Sequence, residues 1–180
     1  LQAVSKLFEL GCPLVILACN TASAKALRTI QQINLPVIDA TRRVLGVIRP
    51  TAECIGEITR SRHVGILATA GTIKSESYLL EIHKLSPDIV VTGEACPMWV
   101  SLVENNEYQS EGADYFVKQH INRLLDKDPM IDTIILGCTH YPLLLDKIRQ
   151  FTPEPIRIIS QGEYAVSYTH LRAHETSQDL

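Results

Sequence analysis

Residues 132–141 limit the fold of this 180-residue chain more than any other stretch. They read D-T-I-I-L-G-C-T-H-Y and are followed at once by Pro142. Ile134, Ile135 and Leu136 form an apolar run without polar alternation, which predicts a short strand covered on both faces in a parallel sheet. Gly137 breaks the run. Pro142 suits the first turn of a helix, where its missing N–H is no loss, and Leu144, Leu145 and Ile148 repeat behind it at helical spacing. Cys138, Thr139 and His140 are thereby placed on a strand-to-helix turn. In open α/β sheets ligands bind beyond the carboxyl ends of the strands, where helix amides and the dipole favour an anion. A thiol held there is poised to ionise.

The same arrangement occurs near the start of the chain. Leu14-Val15-Ile16-Leu17-Ala18-Cys19-Asn20-Thr21 repeats the pattern of Thr133-Ile134-Ile135-Leu136-Gly137-Cys138-Thr139-His140: an apolar strand, a small residue, a cysteine, then polar residues leading into a helix. That helix is expected over residues 22–32, with Ala26, Leu27 and Ile30 on one face. Two strand-cysteine-helix units a domain's length apart predict two similar lobes. Two thiols facing each other across them would form a two-base site.

The intervening sequence supports a doubly wound α/β architecture. Short strands are expected at Pro36-Val37-Ile38 and at residues 63–68, 88–93 and 156–159, the last after Pro153 and Pro155 have ended a helix. Helices are expected at residues 51–59, on the face carrying Tyr78, Leu79, Ile82 and Leu85, and at 112–125 through Phe116, Val117, Ile121, Leu124 and Leu125. Val4, Leu7, Phe8 and Leu10 read as a helix ending at Gly11. Strands alternating with helices imply parallel sheets.

Composition excludes several functional classes. A net charge of −3 gives no support for nucleic-acid binding or for a basic membrane surface. No apolar run approaches the roughly 20 residues of a membrane span, and no signal peptide is evident. Five cysteines, none in a Cys-x-x-Cys pair, do not form a disulfide framework or a zinc ribbon. A reducing cytoplasm fits best.

The motifs A-C-N-T-A-S at residues 18–23 and G-C-T-H-Y-P-L-L at 137–144 resemble the two cysteine signatures of glutamate racemase, in the aspartate/glutamate racemase family. Pro36-Val37-Ile38, Gly65-Ile66-Leu67-Ala68-Thr69, residues 72–78, Ala95-Cys96-Pro97 through Leu102-Val103-Glu104, and residues 160–163 fall in family order. The resemblance covers roughly residues 1–165. It implies two doubly wound lobes with the active site between them, residues 1–41 and 161–165 forming a partial first lobe and 42–160 the second. It also implies that a segment containing Asp-Ser-Gly and a Tyr-Gly substrate loop, which family members carry before the first cysteine, is missing. The first lobe is then expected to have an unprotected sheet edge and exposed apolar surface. Residues 166–180 depart from the family pattern, resemble translated adaptor or vector sequence, and are left out of the fold.

The chemistry sets its own demands. Inverting an α-carbon needs a base on one face and an acid on the other, and an α-proton is far less acidic than a free thiol of pKa about 8.5. The site must therefore stabilise the developing carbanion and hold the reacting atoms within about 3–3.5 Å. Backbone amides after Cys19 and Cys138 can hold substrate carboxylates, and the side chains of Asn20, Thr21 and Thr139 can fix orientation. No imine-forming lysine motif is evident, so neither pyridoxal phosphate nor any other cofactor is called for. Cys138-x-His140 has no further ligand pair at metal spacing. His140 is the natural partner to tune Cys138.

By the resemblance, Cys138 takes the proton from L-glutamate and Cys19 from D-glutamate, each acting as acid in the other direction. Glu104 matches a family carboxylate proposed to assist catalysis, and Thr72, with Thr69, matches a substrate-contacting loop. The implied role is D-glutamate supply for peptidoglycan. Glutamate is the implied small-molecule partner, and the resemblance is compatible with a homodimer. Two alternatives stay open: another amino-acid or hydantoin racemase on the same scaffold, and a fragment that binds a dicarboxylate without chemistry. Cys12, Cys54 and Cys96 read as small core hydrophobes. His63, His83 and His120 are expected on surfaces or at element ends.

Overall fold

The computed structural model describes residues 1–162. The remainder of the expected first-lobe segment, 163–165, and the tail at 166–180 lie outside the described residues. Within 1–162 the chain forms two parallel sheets flanked by helices.

The smaller sheet pairs β1 (Leu14–Leu17) with β2 (Arg43–Gly46) in parallel. Before β1 lies α1 (Gln2–Glu9), and just beyond its end comes Gly11, whose φ of +90° only glycine adopts without strain. Behind β1, α2 (Asn20–Ala22) runs on through wide helical turns, Ser23–Leu27 and Ile30–Asn34, into α3 (Leu35–Ile38). Pro36-Val37-Ile38 is therefore helical and not the expected strand. Pro36 sits in the first turn of α3, where it forfeits no hydrogen bond, and Val37 is 87% exposed, with no sheet neighbour among the described residues to reward its β-branching. The strand that pairs with β1 is β2, which lies just beyond the expected division at 41/42.

Val4, Phe8, Val15, Ile30, Leu35 and Val44 form this region's core. Among the described residues only one face of β1 is covered, since Leu14 and Ile16 point outward and are exposed. The unalternating apolar run thus behaves differently in the two cysteine units. In the first it leaves an open apolar face, and in the second it is buried throughout.

The larger sheet has the order β4-β3-β5-β6, all parallel. Its strands are β3 (His63–Ala68), β4 (Val90–Ala95), β5 (Thr133–Gly137) and β6 (Arg157–Ser160). Alternate residues of β5 supply two separate cores. Ile134 and Leu136 pack with Trp99, Val117, Ile121 and Leu124, from α7 (Pro97–Glu104) and α8 (Glu111–Lys127). Ile135 packs with Ala52, Ile55, Tyr78 and Ile82, from α4 (Ile48–Ile58) and α6 (Ser77–Leu85). Covering both faces is what an all-apolar strand requires.

Two short helices complete the layer. These are α5 (Ala70–Lys74), after β3, and α9 (Leu145–Phe151), which follows a tight helical turn at Tyr141–Leu144. Helix α8 is started by Ser110, whose hydroxyl accepts the Ala113 N–H at 3.2 Å. His120 departs from its expected surface position. It is buried on α8, with Nδ1 2.7 Å from Glu94, and Lys127 holds the other carboxylate oxygen at 2.6 Å. Cys96 is fully buried, as a core hydrophobe should be, whereas Cys12 and Cys54 are only half-buried.

Candidate active site

The site forms where the carboxyl ends of the two sheets meet. Cys19 follows β1 after Ala18, while Thr69 and Cys138 directly follow β3 and β5. Ala68 and Gly137 are register partners, so Thr69 and Cys138 leave the sheet side by side. Gly137 makes that close packing possible. A Cβ placed there would lie 2.9 Å from the Ala68 Cβ and 3.3 Å from the Leu67 carbonyl oxygen.

A cleft of about 200 Å³ opens between these turns. Cys19, Asn20 and Thr21 line one side, and Thr69, Val100, Cys138, Thr139 and His140 the other. The structure thus brings both cysteines and most of the expected polar residues to one cavity. Thr72 is not on its wall. It is buried behind the cleft, its hydroxyl 3.3 Å from Thr21 and 3.1 Å from Thr69, while Thr21 and Thr69 are 2.9 Å apart. These mutual contacts join the amino end of α2 to that of α5, and Thr69 also accepts the Thr72 N–H.

The two thiols sit in different environments. Cys19 is exposed and Cys138 is 8% exposed. Burial pushes the Cys138 thiol above its ordinary pKa, and the charges of Cys19 and Glu104 add to that, against the opposing pull of the His140 and Thr139 backbone N–H groups. The ready ionisation expected of a thiol on this turn is therefore not what the cleft provides, because desolvation outweighs the amides.

His140 lies between Cys138 and Glu104. Its Nδ1 is 3.8 Å from the Cys138 sulfur, and its Nε2 is 3.2 Å from Glu104 Oε1. With Glu104 accepting from Nε2–H, Nδ1 is the nitrogen able to exchange a proton with the thiol. Glu104 ends α7 at the rim, its side chain 62% exposed, and meets the site through its contact with His140.

Asn20 is buried, and its Oδ1 accepts the Tyr78 hydroxyl at 2.7 Å. Tyr78 and Val100 were absent from the residues expected at the site. Val100 gives an apolar wall with no chemical signature. Tyr78 reads in sequence as part of an apolar helix face, and only the rule that a buried phenol needs a partner could have singled it out. Among the described residues no group of three or more His, Cys, Asp or Glu stands where it could hold a metal ion, and no helix is long and apolar enough to cross a membrane.

Residues 1–169 match the family described as Asp/Glu/Hydantoin racemase. The chain belongs to that family. The glutamate racemase of Lactococcus lactis subsp. cremoris is 37% identical over 97% of this chain and 64% of its own length. That of Bacillus cereus is 37% identical over 90% of this chain and 57% of its own. Among solved structures, glutamate racemase from Bacillus anthracis superposes with a TM-score of 0.84 at 34% identity, covering 96% of this chain and 62% of that one. Glutamate racemase from Francisella tularensis, in complex with D-glutamate, gives a TM-score of 0.85 at 28% identity over 98% of this chain and 62% of that one. The chain thus spans between 57% and 64% of the length of these relatives.

Proposed function

We propose that this family member racemises glutamate without a cofactor, by a two-base mechanism in which Cys19 and Cys138 act from opposite sides of the α-carbon. The observation that carries the reading is that both thiols, on equivalent strand-to-helix turns of two sheets, line the same small cleft. The names of the relatives supply the substrate.

In the direction from L to D, the Cys138 thiolate takes the α-proton and Cys19 returns one from its own thiol to the opposite face. Proton count and charge balance, and the enzyme is left with Cys138 protonated and Cys19 ionised, ready for D-glutamate. The burial that makes Cys138 reluctant to ionise makes its thiolate a stronger base once formed. His140 accepts the Cys138 proton on Nδ1 beforehand, and Glu104 balances the imidazolium from the rim. Asn20, Thr21, Thr139 and the amides of the two turns hold the carboxylates, with Thr69 and Thr72 fixing Thr21. The lobes divide after β2, and the product serves peptidoglycan synthesis.

The test is α-proton exchange of L- and D-glutamate in D₂O, followed by NMR, on this chain and on its Cys19→Ser and Cys138→Ser variants. Deuterium incorporation that needs both thiols is the expected result. Exchange that survives loss of either thiol, or that is faster with aspartate, would overturn the assignment. Glutamate binding with no exchange would identify a dicarboxylate-binding module instead.

A further inference from the structure

We propose that Tyr78 and Gln161 are positioning residues that determine which end of the Asn20 amide meets the substrate, an inference resting on the glutamate reading of the cleft. Asn20 lines the cleft yet is 2% exposed. Its Oδ1 is taken by the Tyr78 hydroxyl, while its Nδ2 is buried and has no partner among the described residues. A buried amide nitrogen without an acceptor is costly, and most such groups in folded proteins are paired. A substrate carboxylate, which only accepts hydrogen bonds, completes it.

The reason that Nδ2 is the free end lies outside the cleft. Gln161, immediately after β6, directs Nε2 to the Val47 carbonyl at 3.2 Å and also to the Tyr78 oxygen. A backbone carbonyl can only accept, so Gln161 must present its NH₂ group there, and the second proton of that group goes to Tyr78. The phenol has one proton, which burial holds in place by raising its pKa well above the ordinary value. With Gln161 donating to the phenol oxygen, that proton is available for Asn20. Asn20 must then turn its oxygen toward Tyr78 and its nitrogen away. The network, and not the shape of an amide, distinguishes its two ends. One backbone carbonyl, on Val47 between β2 and α4, thus orients three side chains in sequence.

A double-mutant cycle tests this. Tyr78→Phe keeps the ring and removes the hydroxyl, so the Asn20 amide is free to turn. The expected result is a rise in KM for glutamate of roughly tenfold, with kcat changed less than about twofold, the pattern of lost uniform binding. In an Asn20→Ala background the same substitution should change KM by less than about twofold, because no amide remains to be oriented. Gln161→Leu, which removes the donor to Tyr78, should reproduce the loss and its dependence on Asn20, and it serves should Tyr78→Phe fail to fold. An unchanged KM, or equal losses with and without Asn20, would show that Tyr78 only fills space and would overturn the proposal. The cycle can be read equally as glutamate affinity by NMR titration. Binding without exchange then counts against the two-base reading alone, whereas additive losses count against the relay alone.

Discussion

Alkylation of Cys138 as a function of pH probes the central claim, that this buried thiol is held above its ordinary pKa in part by its partner across the cleft. The perturbation is Cys19→Ser, which removes the opposing charge without changing the size of the side chain much. A cavity of about 200 Å³ is about 7 Å across if spherical. Two unit charges at that separation repel by roughly 0.6 kcal/mol in water and about 2.4 kcal/mol at an effective dielectric of 20. Relieving that repulsion should lower the Cys138 inflection. The assay is the rate of iodoacetamide labelling at Cys138, read by mass spectrometry of the peptide from pH 6 to 11, the thiolate being the reacting species. The unsubstituted chain should show its inflection above the ordinary thiol value of about 8.5. At neutral pH, Cys19, which is exposed, should label first. An inflection at or below the ordinary value, or one that rises when Cys19 is replaced, would refute the reasoning.

Two further outcomes follow from the scaffold. Gly137→Ala should cost about 1–3 kcal/mol in thermal unfolding, because its methyl meets Ala68 and the Leu67 carbonyl at overpacked distances, and it should slow exchange by displacing Cys138. Asp132 accepts hydrogen bonds from the Thr59 and Thr133 hydroxyls and from the Arg60 and Ser61 N–H groups, at 2.7 to 2.9 Å. Burial pushes its carboxyl up, but these bonds outweigh it and hold the pKa well below the usual range. The folded value lies below the unfolded one of about 3.9, so this contribution is present above pH 4 and is lost as pH falls further. Asp132→Asn should therefore destabilise by about 1–3 kcal/mol at pH 7, with the gap to the unsubstituted chain narrowing below pH 4 in denaturant titrations.

Much of the site was legible in sequence because local signals converge there. An apolar run broken by a small residue, then a cysteine and polar residues opening a helix, places a side chain at the carboxyl end of a strand whatever surrounds it. Cys19, Asn20, Thr21, Cys138, Thr139 and His140 all line the cleft for that reason. The path of residues 36–46 was not legible. Pro36-Val37-Ile38 and Arg43-Val44-Leu45-Gly46 are both short runs with some β propensity, and only the second lies where β1 offers a hydrogen-bonding edge. His120 could not be placed either. A histidine on a helix carries no sign of whether a Glu94 and a Lys127 will gather around it.

The sequence by itself determined the class of the fold and the two cysteine-bearing turns, since hydrophobic period, turn chemistry and motif spacing are local properties of the chain. Tertiary structure alone decided the rest. Whether a covered strand is covered on one face or two, whether a thiol on a favourable turn is nevertheless held protonated, and which end of Asn20 is free all depend on groups distant in sequence. Desolvation and hydrogen-bond direction are set by what is packed alongside, and Val47, Tyr78 and Gln161 meet Asn20 only once both sheets have formed.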